Sequence, residues 1–452
     1  VANPRPGDVL QLRIDTPAFG GFGVARHEGI VVFVRFAYPG ESVLAKVVER
    51  KKTLLFAETV EVLEASPNRR KPPCPSYGLC GGCSCQEIDY EAQFALKVEV
   101  VEDCMRHIGK IADFPEPELI RADREFGYRN KMELSFGEDD GGIFLGQHIR
   151  GRFNKLITAE RCLLMPEVGR DIATSVSEAA RSAGLEAYNN YRDCGLLRHL
   201  TLRFSETDGG VIAGITARSP EIDRIRTLLE PARDRFTELV GSSMVLNERV
   251  GDTAKGEVTN LFGRSYIEEE MLGLRFQISL ESFFQTNTRM ARVFYSKILD
   301  FAGEAPNCVA FDLFSGTGTI AQILSRRFAM VVAIENVERA VHDARISAEN
   351  NDISNVEFIF GSVEKQLAGA IGKYRPELVV LDPPRSGIAK SSLEKIIECR
   401  PKAIVYASCN PTTLARDLAM LTESYIISRA AIVDMFPQTY HIESIVRLDG
   451  KD

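Results

Sequence analysis

Val309-Ala310-Phe311-Asp312-Leu313-Phe314-Ser315-Gly316-Thr317-Gly318-Thr319 decides how the C-terminal part of this chain is read. A short apolar run ends at Asp312, a glycine-bearing loop follows, and a helix opens behind it. Glycine permits a tight turn and lets the backbone approach a ligand closely. A lone Gly-x-Gly is weak evidence. It gains force from Glu335, which closes the next apolar run about twenty residues on, where an acid can accept hydrogen bonds from ribose hydroxyls. The loop is not Gly-x-Gly-x-x-Gly and no Gly-Lys-Ser/Thr follows, so a small nucleoside suits it better than a pyrophosphate. S-adenosylmethionine has a ribose and no phosphate, and fits.

Working outward, Val331-Val332-Ala333-Ile334, Val356-Glu357-Phe358-Ile359, Leu378-Val379-Val380-Leu381 and Ile404-Val405-Tyr406 are short apolar runs separated by helical stretches. Such alternation predicts an α/β, doubly wound, mainly parallel sheet. After the fourth strand, Leu381-Asp382-Pro383-Pro384-Arg385 places a rigid loop and a fixed carboxylate at the sheet edge where ligands bind. After the fifth, Ser408-Cys409-Asn410-Pro411 places a thiol at a strand end, suited to nucleophilic work. Glu443 lies shortly beyond, in His441-Ile442-Glu443-Ser444. His441 is expected to line the site or to be structural, since no second histidine is spaced to share a metal.

The N-terminal half reads differently. Residues 1–64 alternate apolar and polar positions in short strands, as in Val9–Ile14, Gly29–Val34 and Ser42–Val48. This predicts a small barrel of the oligonucleotide-binding kind. A proline-rich, charged linker follows at 65–73, then four crowded cysteines between Cys74 and Cys85, then a helix over 88–109. From 126 to 270 strands and helices mix without an assignable motif. Crowded cysteines in a cytosolic chain point to metal or redox chemistry, and the spacing alone leaves zinc and an iron–sulfur cluster both open. Cys104, Cys194, Cys308 and Cys399 are expected to be buried thiols.

The 452-residue chain is 44% hydrophobic, enough for two or three domains, and carries a formal charge of −8, which argues against a general polyanion binder. Local basic clusters at Arg50-Lys51-Lys52, Arg69-Arg70-Lys71 and Arg150-Gly151-Arg152 leave a nucleic-acid groove open. No apolar run approaches the ~20 residues of a membrane span. Val1-Ala2-Asn3-Pro4-Arg5-Pro6 has no secretory pattern. A cytoplasmic monomer is expected.

Five stretches together resemble the RNA uridine C5-methyltransferase family: Phe283-Phe284-Gln285-Thr286-Asn287, Asp312 to Gly318, Leu381 to Gly387, Ser408 to Pro411, and Phe436-Pro437-Gln438-Thr439-Tyr440-His441-Ile442-Glu443. The resemblance implies Cys409 as nucleophile, Glu443 as base, and Gln285, Phe314, Glu335 and Asp382 as S-adenosylmethionine contacts. Residues 1–64 resemble the TRAM barrel, an RNA-binding module. Cys74, Cys80, Cys83 and Cys162 are similar to the [4Fe–4S] ligand set of one subset of the family, with Cys85 an alternative to Cys162. Leu280 stands where many members have proline.

The implied organisation is a TRAM barrel over 1–64, a central α+β domain over 65–270 with the cluster, and a class I methyltransferase domain with a Rossmann-like sheet over 271–452. The implied reaction is 5-methyluridine formation in RNA, with large-subunit (23S) rRNA favoured and a tRNA T-loop uridine second. Two other readings are a cytosine C5-methyltransferase, disfavoured because Asp382-Pro383-Pro384 replaces the usual Pro-Cys, and a catalytically silent RNA-binding protein.

Overall fold

The computed structural model describes residues 4–251 and 253–451; Val1 to Asn3 of the N-terminal stretch read above lie outside the described residues. Six strands come first: β1 (Val9–Arg13), β2 (Thr16–Ala18), β3 (Phe22–His27), β4 (Ile30–Arg35), β5 (Ser42–Lys51) and β6 (Leu54–Glu64). They form one sheet in the order β1-β5-β6-β4-β3-β2. The Asp15 amide donates to Val24 O (2.8 Å), joining the end of β1 to β3. Alternation sends Val32, Val34, Leu55 and Ala57 inward to a private core. The TRAM-like unit is tied to the following linker through Glu41. This fully buried carboxylate accepts from the Arg69 guanidinium (2.7 and 2.8 Å) and from the Ser66 amide (3.0 Å).

Helix α1 (Tyr90–His107) is capped by Asp89, whose side chain accepts from the Ala92 amide at 2.9 Å. The short strand β7 (Glu118–Ile120) follows. A seven-stranded sheet then builds the middle of the chain: β8 (Lys131–Asp139), β9 (Gly142–Ile149), β10 (Arg152–Thr158), β11 (Leu197–Phe204), β12 (Val211–Ala217), β13 (Leu239–Leu246) and β14 (Glu257–Gly263). Its order is β10-β9-β8-β11-β12-β13-β14. Helices α2 (Glu167–Ser182) and α3 (Ile222–Arg235) bury Ile172, Val176, Ile225 and Leu229 with it in a common core.

The hairpin β15 (Tyr266–Met271) and β16 (Leu274–Ser279) leads into α4 (Thr288–Ala302). The C-terminal elements follow: β17 (Ala305–Leu313), α5 (Thr319–Leu324), β18 (Phe328–Glu335), α6 (Glu338–Asn350), β19 (Val356–Phe360), α7 (Val363–Tyr374), β20 (Leu378–Leu381), α8 (Lys390–Cys399), β21 (Ala403–Ser408), α9 (Pro411–Leu421), β22 (Tyr425–Val433) and β23 (Glu443–Gly450). The eight-stranded sheet runs β19-β18-β17-β20-β21-β23-β22-β7. The strands from β19 to β21 are parallel, and β23 is antiparallel to both its neighbours. The predicted doubly wound sheet is present. The chain winds outward from β17 in one direction and from β20 in the other, so these two neighbours form the topological switch point where such sheets bind ligands.

Successive residues of each strand serve opposite faces. Ala310, Val331 and Val380 meet α4, α5 and α6, while Phe311, Val332 and Val379 meet α1, α7, α8 and α9. Three segments that precede residue 280 join this core. The α1 residues Phe94, Val101 and Met105 pack on one face. The hairpin residues Ile267, Met271, Phe276 and Ile278 pack on the other. The strand β7 pairs in parallel with β22 as the sheet's edge. No helix among the described residues is long and apolar enough to cross a membrane.

Candidate active site

The switch point is built from the loop that opened the sequence reading. Phe314 takes a left-handed φ of 66°, and the amides of Phe314 and Ser315 both donate to Ile334 O (3.0 and 3.1 Å), lashing the loop to β18. Gly318 (φ 73°) must be glycine. A Cβ there would lie 2.6 Å from the Phe358 ring and 3.0 Å from Ala344 Cβ. Glu335, at the end of β18, accepts from the amides of Gly316 (2.9 Å) and Val337 (2.8 Å). Its carboxylate therefore faces the loop, as the sequence placed it.

Carboxyls crowd this edge. Asp312 is fully buried; one oxygen accepts from the Ala321 amide (2.9 Å) and the other has no partner. Burial first, then the charges of Asp382 and Glu335, push its pKa up to about 8. Burial alone lifts Asp382 to about 7. Tyr295, on the buried face of α4, feels Asp382, Asp312 and Glu443 together.

Cys409 and Glu443 arrive on neighbouring antiparallel strands. Ser408 pairs with Ser444, so one further residue along the register brings Cys409 opposite Glu443. Glu443 is buried, and burial followed by the charge of Asp382 raises its pKa well above the usual range. Cys409 is half-buried. Burial first, then Glu443 and Asp382, hold its thiol at about 11, and Arg385 acts in the opposite direction. Arg385 Nη2 lies 3.2 Å from His441 Nε2. Desolvation and that guanidinium push the imidazole down to about 4, so it is neutral near pH 7. Asn410 fixes this corner. It caps α9 and donates to Arg385 O (2.9 Å).

Gln285 lies in the connection from β16 to α4. Asn130 donates to Gln285 O (2.8 Å) and Thr288 Oγ1 (2.7 Å), and Asn287, the cap of α4, donates to Met435 O (2.9 Å). Arg203, fully buried, donates to the carbonyls of Leu280 and Ser282 just before it. Leu280 itself packs over Gly214, where a Cβ would lie 2.5 Å from its Cδ1. The structure thus brings Phe314, Glu335, Asp382, Cys409 and Glu443 to one sheet edge and ties the Gln285 segment to the loop that precedes Glu443. Sequence reasoning missed Asp312 as a titrating group, Tyr295, and the caps Asn287 and Asn410. The Asn-Pro at 410–411 was a legible helix-start signal; Tyr295 gave none.

Away from this edge, Cys74, Cys80, Cys83 and Cys162 are half-buried and free. Cys80, Cys83 and Cys162 are raised by burial first, Cys83 to about 12; Cys83 then feels the charges of Cys162 and Cys80, Cys162 those of Cys80 and Cys74, and Cys80 that of Cys74. Cys85 turns elsewhere, its thiol 3.6 Å from Gln93 Oε1 and its strongest charged neighbour Lys97. No three His, Cys, Asp or Glu side chains among the described residues lie as a single ion would need. A polynuclear cluster holds its thiolates farther apart than one ion does. Two buried guanidinium nitrogens nearby, Arg129 Nε and Arg150 Nε, have no partner. Arg150 also donates to Cys80 O and Cys83 O (3.3 and 2.6 Å). Cys80 feels both guanidinium groups and Cys162 feels that of Arg129, an arrangement that suits an anionic thiolate-bound group. Among the remaining cysteines Cys104 is buried as expected, Cys308 and Cys399 are half-buried, and the expectation fails outright for Cys194, which is exposed in the turn before β11, where no apolar face covers it.

A family model described as tRNA (uracil-5-)-methyltransferase matches residues 254–451, and the TRAM domain model matches residues 5–60. An uncharacterized RNA methyltransferase of Clostridium tetani is 36% identical over 99% of this chain and 99% of its own length. One from Caldanaerobacter subterraneus is 36% identical over 98% and 99%. Among solved structures, the tRNA (uracil-54, C5)-methyltransferase of Pyrococcus abyssi in complex with S-adenosyl-L-homocysteine is 26% identical. It covers 97% of this chain and 100% of that one, with a TM-score of 0.77.

The charges around Cys409 make a two-sided prediction. Alkylation of the Cys409 peptide by iodoacetamide, followed by mass spectrometry, should accelerate with pH toward about 11. At pH 8, Arg385→Met should slow it and Glu443→Gln should speed it. Equal rates in all three proteins would show that the thiol feels neither neighbour.

Proposed function

This chain belongs to the RNA uridine C5-methyltransferase family and is an S-adenosylmethionine-dependent RNA methyltransferase, and on that premise we propose that it methylates C5 of a specific uridine. The observation that carries this reading is the β21–β23 register, which ends at Ser408 and Ser444, one residue short of Cys409 and Glu443, together with the charge of Glu443 felt by the Cys409 thiol. Uracil C5 is too weak a nucleophile to take a methyl group unaided. Cys409 adds to C6, which gives C5 carbanion character, and C5 takes the methyl group from the sulfonium. Glu443 then removes the C5 proton and the thiolate leaves C6, restoring the ring. A carboxylate whose pKa is raised by burial is a stronger base for that proton than one in water.

S-adenosylmethionine supplies the methyl group. Glu335 is the ribose contact, Phe314 and Asp382 line the donor on the loops after β17 and β20, and Gln285 reaches it from the β16–α4 connection. Cys74, Cys80, Cys83 and Cys162 would hold a [4Fe–4S] cluster, which supplies no step of methyl transfer and shapes the protein around them. The substrate proposed is large-subunit rRNA. A second reading, a tRNA uridine, is favoured by one observation: the match to the Pyrococcus tRNA enzyme runs through the whole chain, barrel included.

The barrel offers an RNA path. On its outer face Phe33 and Phe56 stack (centroids 5.4 Å, planes 19° apart), with Phe22 edge-on to both. Arg35 lies over Phe22 (4.2 Å) and Lys51 over Phe56 (5.0 Å). Arg35 also feels Arg150 and Tyr440, so the face continues toward the catalytic loop. These rings are half-buried, and aromatic faces interleaved with cations are how single strands are held.

Three measurements test these readings. Label from S-adenosylmethionine should enter 5-methyluridine of unmodified large-subunit rRNA and not of tRNA, and Cys409→Ala should abolish it; label in 5-methylcytidine would refute the reaction. Anaerobically purified protein should contain iron and acid-labile sulfide, about four of each per chain; zinc without sulfide would replace the cluster. Phe33→Ala should weaken RNA binding by roughly 1–3 kcal/mol at constant salt, and Lys51→Ala should flatten the salt dependence by about 0.7 in log–log slope.

A further inference from the structure

The connection from β22 to β23, residues 434–442, is held by groups from far away in sequence. Lys97 donates to Asp434 Oδ1 (2.7 Å) and Phe436 O (3.1 Å), Asn287 to Met435 O (2.9 Å), and Tyr128 to Pro437 O (2.9 Å). Gln438, midway along, is the most completely held. It is fully buried, yet its backbone takes the left-handed φ of 67° that residues with a side chain rarely adopt.

Every polar group of Gln438 is engaged. Its amide donates to Gln93 Oε1 (3.1 Å), and Gln93 Nε2 donates back to Gln438 Oε1 (3.0 Å). Its Nε2 donates to Glu125 (2.8 Å). Its carbonyl accepts from the amides of Ser84 (2.9 Å) and Cys85 (3.3 Å), in the segment that bears Cys80 and Cys83. A left-handed, non-glycine residue costs of order 1–3 kcal/mol and persists only where its surroundings over-determine it. Here the turn sends residues 439–442 back toward the neck where Val433 pairs with Glu443.

We propose that Gln438 is a positioning residue for Glu443: clamped between Gln93 and the Ser84–Cys85 backbone, it fixes the turn that returns the chain to the catalytic carboxyl. The inference rests on the reading of Glu443 as the base. It makes the cysteine segment the floor of the catalytic loop. In the reaction, the C6–S bond and the C5–CH3 bond form first, with loss of the sulfonium's methyl. Glu443 then takes the C5 proton and the C6–S bond breaks. A misplaced carboxyl slows only these last two events.

The test uses the RNA that accepts label in the transfer assay, prepared with uridine or with 5-fluorouridine. Fluorine at C5 leaves no proton to remove, so wild-type protein with S-adenosylmethionine should be trapped as a covalent complex. Gln438→Ala and Gln93→Ala should trap 5-fluorouridine RNA at the wild-type rate. Their turnover on uridine RNA should fall roughly 10- to 100-fold, and they should accumulate a covalent complex with uridine RNA that wild type does not. Gln93→Ala leaves the loop sequence intact and decides the matter should Gln438→Ala not fold. Wild-type turnover in the variants, or trapping and turnover lost together in a protein that still melts cooperatively, overturns the proposal. Failure of wild type to trap 5-fluorouridine RNA overturns instead the covalent reading on which it stands.

Discussion

The ion pair between Lys97 and Asp434 holds the architecture together. Its two side chains are 5% and 0% exposed and lie 2.7 Å apart. Removing one partner of such a pair strands a buried charge, at a cost of about 3–5 kcal/mol. The pair joins α1 to the start of the loop that ends at Glu443. Whatever is attached to α1 is thereby referred to the catalytic edge. The cysteine segment reaches that edge through Gln93 and Gln438, and the barrel through Phe19, whose ring meets Tyr440 edge-on at 5.5 Å. An RNA methyltransferase gains from this arrangement, because the barrel and the cysteine segment are both tied to the edge that carries Cys409.

The catalytic edge carries the opposite tendency. Asp312 and Asp382 have folded pKa values of about 8 and 7 against an ordinary 3.8. A raised carboxyl contributes stability that is fully present below pH 3.8 and lost as pH rises through 7 and 8. Near neutral pH the donor site is therefore electrostatically strained, with Arg385 the cation that acts against the charge on Cys409 and Glu443. A sulfonium donor is a cation. In the proposed reaction these carboxyls would balance that charge, whereas the demethylated product is neutral there. Burial keeps the Cys409 thiol protonated near neutral pH.

Much of this was legible in the sequence because it is local. Asp312, Asp382 and Cys409 each close a short apolar run and are followed within a few residues by glycine or proline, so strand end and loop could be read together; Glu335 closes a run without that punctuation. The barrel strands showed the same kind of signal. What could not be read depends on pairing across hundreds of residues. The strand β7 is three residues long and pairs at the sheet's far edge with β22, where Glu118 meets Ala431. The apolar face of α1 predicts a helix without saying which sheet it covers. Gln438 sits in a quoted motif, but nothing local marks it as left-handed, because the cause of that conformation is Gln93 and the cysteine segment. Cys194 shows the converse failure: residue type suggested burial, and the turn that holds it has no core to offer.

The antiparallel strand β23 is what makes a parallel sheet into this kind of enzyme. The parallel strands deliver only their C-terminal ends to the switch point, so they can supply a donor loop, an acid and a thiol from one side. In the proposed reaction the base must face the thiol, and it enters from the other direction. Inserting β23 between β21 and β22 does this with a single backbone register, Ser408 to Ser444. A shift of that register by one residue would turn Glu443 to the opposite face of the sheet. The loop 434–442 therefore has a task that its many anchors explain: it must end in register, and the left-handed turn at Gln438 is where its direction is set.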